Sequence, residues 1–178
     1  MKLPLLSLPA LAALLAAPPA LGMDQRQADA VCASWTLECP QGAIPPKGPA
    51  KKAGVLECKL QGRPVKEGPS VACKDGKALS WGDWKAGKKE GLQVTMHPNG
   101  SWAEERFTAG KPEGRSVEYS AEGQLMKETH FQEGKKHGPE RTYGADGRLA
   151  SEELWDKGVK GKKPEPPKDE AQAGTPPP

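Results

Sequence analysis

Gly110–Glu133 reads GKPEGRSVEYSAEGQLMKETHFQE, and its grammar returns along the chain. A turn at Gly110–Gly114 leads into a short run ending at Tyr119. A second turn, Ser120–Gly123, leads into a longer run, Gln124–Phe131. The opening phrase recurs as GKKEG from Gly87 and GKKHG from Gly134, and in decayed form as GRPVKEG from Gly62 and GVKG from Gly158. The leading glycines stand 25, 23, 24 and 24 residues apart, and Trp84, Phe107, Phe131 and Trp155 each sit three positions before one. A fixed period of this length signals an array of small units, not one mixed core, and argues against a buried catalytic pocket. Gly76, Gly100, Gly123 and Gly147 mark the middle turns, where glycine accepts a positive φ without steric penalty. Short runs between Gly-rich turns read as strands joined by hairpins. Beyond residue 22 no stretch sustains a 3.6 period, so helix is the poorer reading.

Alternation assigns the faces. Val117 shares a parity with Tyr119, Leu125 with Phe131, and Leu149 with Trp155. The opposite parity carries Glu118, Met126, Glu128 and His130, and later Ala150, Glu152 and Leu154. The pattern predicts one aromatic and aliphatic face and one more polar face. Trp102 and Phe107 stand five apart where the later repeats have six, which places a bulge in one register or the other. The expected architecture is all-β: an elongated single-layer antiparallel meander of stacked β-hairpin repeats.

The pattern G-x-L-x-x-E-x-x-[FW]-x-x-G-K-x-x-G resembles the bacterial variant of the MORN (membrane occupation and recognition nexus) repeat, of the type labelled antitoxin-type repeat proteins. Gly123, Leu125, Glu128, Phe131, Gly134, Lys135 and Gly138 fit it. So do Gly147, Leu149, Glu152, Trp155 and Gly158, with Val159 in place of Lys. In the Gly100 unit Trp102 replaces the Leu and the spacing is one short. In the Gly76 unit Ala78 replaces the Leu and Trp81 the Glu. The resemblance spans about Gly62 to Gly161. It implies an elongated single sheet of stacked hairpins and no one activity.

The ends read differently. Residues 1–22 carry Lys2, a leucine- and alanine-rich run, and small residues at Ala20 and Gly22, the pattern of a secretory signal peptide cleaved before Met23. A lipoprotein anchor needs a Cys directly after the leader, and Cys32 lies well beyond that point. Residues 23–61 form a Cys-, Pro- and Gly-rich capping segment, 62–161 the repeats, and 162–178 a Pro-rich tail expected to be disordered. Cys32, Cys39, Cys58 and Cys73 are an even set in an exported chain and point to two disulfides. A Cys-Pro-x-Gly element with a later Pro-Pro and Cys is similar to the amino-terminal segment of many bacterial relatives. The resemblance implies Cys39–Cys58, which leaves Cys32 for Cys73. A Cys58–Cys73 bridge across the Gly62–Gly68 turn stands as the alternative. Such a cap would cover the edge and apolar face at the sheet's end.

Composition narrows the function. Of 26 basic residues one lies in the leader, leaving 25 against 23 acidic, with the signs interspersed and no basic stripe for nucleic acid. His97, His130 and His137 have no partner at metal-ligand or triad spacing, and no C-x2-C pair suggests zinc. GKKEG and GKKHG lack the spacing of a phosphate loop. No metal or cofactor is expected. Glu104-Glu105, Glu128 and Glu152-Glu153 recur with the repeat and are expected to pair across strands with Arg106, Lys127 or Arg141. The candidate binding residues are Trp84, Trp102, Phe107, Tyr119, Phe131, Tyr143 and Trp155, which serve as core, as a ligand ribbon, or as both. The leading expectation is an exported, non-enzymatic repeat protein of the bacterial envelope that binds a protein partner, an antitoxin or periplasmic immunity role being one version. A lipid-binding surface through Lys88-Lys89, Lys111 and Lys135-Lys136 is the second class, and a hydrolase using the repeated glutamates the third.

Overall fold

The computed structural model describes residues 23–46 and 53–161. The signal-peptide reading of 1–22 and the tail reading of 162–178 lie outside those residues. The elements run α1 (Gln25–Ser34), β1 (Ala43–Ile44), β2 (Ala53–Leu60), β3 (Lys66–Lys74), β4 (Lys77–Lys85), β5 (Lys88–Met96), β6 (Trp102–Thr108), β7 (Lys111–Pro112), β8 (Gly114–Tyr119), β9 (Leu125–Gln132), β10 (Lys135–Lys136), β11 (Gly138–Tyr143), β12 (Leu149–Asp156) and β13 (Val159–Lys160). All the strands pair antiparallel in one 13-stranded sheet, and its main path follows chain order. The meander read from the repeats is the fold.

Two kinds of turn alternate. From Ala86 onward, Ala86-Gly87, Ala109-Gly110, Glu133-Gly134 and Lys157-Gly158 lie on one edge with both residues at positive φ. Asp75-Gly76 has the same form on the opposite edge, so Gly76 does not sit in a turn like those of Gly100, Gly123 and Gly147. These X-Gly pairs are two-residue hairpin turns whose twist matches that of the strands. At the other ends of the strands, His97–Ser101, Ser120–Gln124 and Gly144–Arg148 close wider loops in which the fourth residue, always glycine, donates back to the first.

The bulge read from the odd spacing lies in the longer repeats. Register breaks between Glu118 and Tyr119 against β9, and between Thr142 and Tyr143 against β12. Met126 and Ala150 are therefore the extra residues. The β5–β6 pairing runs unbroken from Gly91↔Phe107 to Met96↔Trp102. This corrects the face assignment. Leu125 pairs with Tyr119 and Lys127 with Glu118, so the bulge puts Leu125 on the face of Glu128, and Phe131 on the other.

A helix appears where none was expected. Asp24 caps α1, accepting from the Gln27 amide at 2.8 Å, and the Gln27 side chain accepts from the Asp24 amide at 2.9 Å. Ala28 and Cys32 are buried, with Val31 and Trp35 beside them on the same side. The pattern spans barely two turns and uses small side chains, so no long period announced it. A ten-residue helix is marginal alone and depends on packing. It packs on β3 and β4, so the sheet is two layers deep at this end.

The core sits beneath the helix: Leu56, Val71, Ala78, Trp81 and Val94 against Ala28, Cys32 and Leu37. Disulfides Cys32–Cys73 and Cys39–Cys58 tie α1 to β3 and the following loop to β2. Cys58 and Cys73 do not face each other, because Cys73 pairs with Gly54, four residues away along β2. No element among the described residues covers the opposite face.

Candidate functional site

The recurring phrase is a ladder between neighbouring turns. The glycine amide of each tight turn donates to the preceding unit: Gly87 to Lys66 O, Gly110 to Lys89 O, Gly134 to Pro112 O, and Gly158 to Lys136 O, all at 2.8–3.0 Å. The glutamate of the phrase reaches forward. Glu67, Glu90 and Glu113 accept from the amides of Ala86, Ala109 and Glu133 at 2.7, 2.9 and 2.8 Å. In GKKHG, His137 replaces that glutamate, and its Nδ1 lies 3.2 Å from Asp156. The stems of Lys88, Lys111 and Lys135 lie against Gly110, Gly134 and Gly158. The lysine two places after the turn glycine covers the next unit's ring: Lys89 over Phe107 and Lys136 over Trp155, at 4.6 and 4.4 Å from the centroids. Lys66 does the same for Trp84 at 4.3 Å. Pro112 takes this place in the Gly110 unit. The motif is therefore structural, one residue for each link.

The seven candidate aromatics do not form one ribbon. Trp84, Phe107, Phe131 and Trp155 line the uncovered face on every second strand, about 10 Å apart by strand spacing. Trp102, Tyr119 and Tyr143 lie on the helix face. All seven are half-buried. Trp102 stacks on Tyr119 with centroids 4.9 Å apart, and Tyr143 Oη donates to Glu128 at 3.4 Å.

Of the recurring glutamates, Glu128, Glu152 and Glu153 form cross-strand pairs, whereas Glu104 and Glu105 pair with no cation among the described residues, and Arg106 is not used. Glu128 is held by Arg115 and faces Arg141, which donates to Glu152 at 2.6 Å. The Arg115 hydrogen bond holds the Glu128 carboxyl below the usual carboxylate range. On the other face Glu140 is buried, which raises its carboxyl, yet bonds from Lys136 and Thr129 outweigh this and the net shift is downward. Among the described residues no group of three or more His, Cys, Asp or Glu is placed to hold a metal ion, and no helix is long and apolar enough to cross a membrane.

Among the described residues two apolar clefts flank α1 on the helix face: one of about 770 Å³ along Val31, Leu37, Pro40 and Pro69, and one, half-open and of about 550 Å³, beside the start of α1. Leu92, Val94, Met96 and Trp102 floor the latter, Met23 and Trp81 form a wall, and Asp24, Asp29 and Glu104 stand at the rim. Trp81 Nε1 donates to Met23 O and fixes the chain's entry into the fold. Beyond the cleft, Met96, Trp102, Tyr119 and Leu125 pair in sequence across four strands as an apolar track. Sequence reading found Trp102 and Tyr119 but missed Met23, Trp81, Leu92, Val94 and Met96. A signal was present. Trp81 occupies the slot of Glu104, Glu128 and Glu152, and Ala78 the slot of Leu125. The repeat departs from its pattern where α1 covers the sheet.

Comparison of the chain with protein-family models gives no match, and comparison with curated protein sequences gives none.

Proposed function

We propose that the chain is an exported, non-enzymatic repeat protein that presents its sheet to a protein partner. The observation that carries this reading is the apolar cleft at the α1–sheet junction and the track that leads from it across four strands. A contiguous apolar surface with a polar rim is the usual form of a docking site. The resemblance to MORN-like repeats supports the same reading, and a periplasmic immunity role is one version of it. The two disulfides fit an oxidising compartment. The apolar leader then makes export the natural route, with the mature chain starting at Met23. Amino-terminal sequencing of the native protein tests this; an intact Met1 in the cytosol overturns it. Against the hydrolase reading stand the arginine and lysine partners of Glu128, Glu140 and Glu152.

The test of protein binding is capture from envelope extract by the parent and by Met96→Glu, which places a charge on the cleft floor. A partner held by the parent and lost by the variant supports the reading, and capture indifferent to the variant overturns it. One observation favours the lipid reading. The meander collects Lys88, Lys111 and Lys135 on one edge, each exposed and each stem packed on the next turn. Flotation with anionic liposomes, compared with zwitterionic ones, separates the two readings.

A further inference from the structure

We infer that the cleft beside the start of α1 takes a polypeptide segment carrying a bulky apolar side chain next to a lysine or arginine. This rests on the protein-binding reading and names the chemistry of its partner. The floor of Leu92, Val94, Met96 and Trp102 is apolar, and a volume of about 550 Å³ admits a large side chain. The charged side chains of the rim are of one sign. Asp24, Asp29 and Glu104 line it, with no lysine, arginine or histidine among the lining residues. Asp29 is already engaged, accepting from the Ala78 amide at 2.8 Å and lying 3.4 Å from Lys77. Asp24 and Glu104 have no side-chain cation against them, and an α-amino group at a Met23 start offsets one of the two charges, so the rim keeps a net negative charge. Asp24 gives Oδ1 to the Gln27 amide, and Glu104 gives Oε1 to Trp102 Nε1 at 3.2 Å. No lysine, arginine or histidine among the described residues pairs with either. Two carboxylates beside an apolar hole favour a cation attached to an apolar anchor and repel an acidic segment. A polypeptide suits the shape. The hole is open on one side and continues along Met96, Trp102, Tyr119 and Leu125, three strand spacings or about 14 Å. Met96 and the stacked pair Trp102–Tyr119 supply the adaptable and rigid contacts that such anchors use.

The test is fluorescence anisotropy of three labelled synthetic peptides with the purified, disulfide-bonded protein. One alternates leucine and lysine, one leucine and glutamate, and one serine and lysine. The leucine–lysine peptide is expected to bind, and each of the others to bind at least about tenfold more weakly. The double variant Asp24→Asn, Glu104→Gln removes both charges and keeps the helix cap and the acceptor for Trp102. It is expected to weaken the leucine–lysine peptide about tenfold with an unchanged thermal midpoint. Met96→Lys is expected to abolish binding. Leucine–glutamate binding within about threefold of leucine–lysine, an indifferent double variant, or no binding at about 1 mM peptide each overturns the inference. If Met96→Glu still releases a captured partner in any of those cases, the charge assignment alone has failed. If capture is indifferent as well, the protein-binding reading fails with it.

Discussion

Ala109 carries a φ of 51°, and Ala86, Glu133 and Lys157 share that left-handed conformation before their turn glycines. For a residue with a Cβ this costs roughly 1 kcal/mol, and only Gly or Asn enters it freely. Ala109→Gly is expected to raise stability by about 0.5–1 kcal/mol, read as a higher midpoint in urea unfolding. An unchanged or lower midpoint would show that the extra unfolded-state entropy of glycine outweighs the strain relieved, since the backbone amide that Glu90 accepts from is present in both. Glu128 illustrates the electrostatic side of single residues. Its folded carboxyl titrates below the unfolded value because Arg115 bonds the charged form. The stabilisation is therefore present above the unfolded carboxylate pKa, near 4.3, and is lost as pH falls through the folded value. Glu128→Gln is expected to cost about 1–2 kcal/mol at pH 7. The gap to the parent should close as both are acidified below about pH 4. A gap independent of pH would assign the cost to packing.

Each hairpin depends on its neighbour for cover. Phe131 lies on a face that no described element covers and is half-buried, so truncation removes less packing than in a closed core. Phe131→Ala is expected to cost about 2 kcal/mol, below the ~3–5 kcal/mol of a fully buried ring. Trp155, nearer the end of the array, should cost no more. The unit from Gly110 also lacks the ring-covering lysine found in its neighbours. Pro112→Lys restores that side chain above Phe131 and is expected to add about 0.5–1 kcal/mol. Calorimetric midpoints of the two variants check both figures. A neutral Phe131→Ala would move these rings from scaffold to binding surface. A destabilising Pro112→Lys would mean that the fixed φ of proline matters more at β7 than a cation over the ring.

At the scale of the molecule the chain is a stack capped at one end. Repeats couple only to neighbours, so the far end need not sense the cap directly. The Cys32–Cys73 bridge closes 41 residues of chain and clamps α1 over Trp81 and Val94. Cys32→Ser with Cys73→Ser is expected to lower stability by about 2–4 kcal/mol. Hydrogen exchange should then speed up first in α1 and β3, while amides of β8 to β12 keep most of their protection. Uniform loss of protection along the sheet would refute the stacked picture and make the chain one cooperative unit.

The repeat in the sequence determined the meander. A glycine every ten or so residues excludes long helices, and the phrase from each turn glycine to the next fixes how many strands stack. The local chemistry of those turns, the strand count per unit and the pairing role of Glu128 and Glu152 all follow from neighbours close in the chain. Which side chains share a face did not follow, because a single extra residue at Met126 or Ala150 exchanges the two faces for the rest of the strand. The parity of Leu125 and Phe131 misled for this reason. The helix and its cleft were also settled only in three dimensions. Ala28 and Cys32 are too small to announce an amphipathic helix, and α1 is held by Val71, Trp81 and a disulfide partner far along the chain. The cleft exists because Met23, Trp81, Met96 and Trp102, spread over some eighty residues, meet where the helix stops covering the sheet. A periodic sequence specifies what repeats; the place where the repetition is interrupted, and the surface exposed there, belongs to tertiary packing.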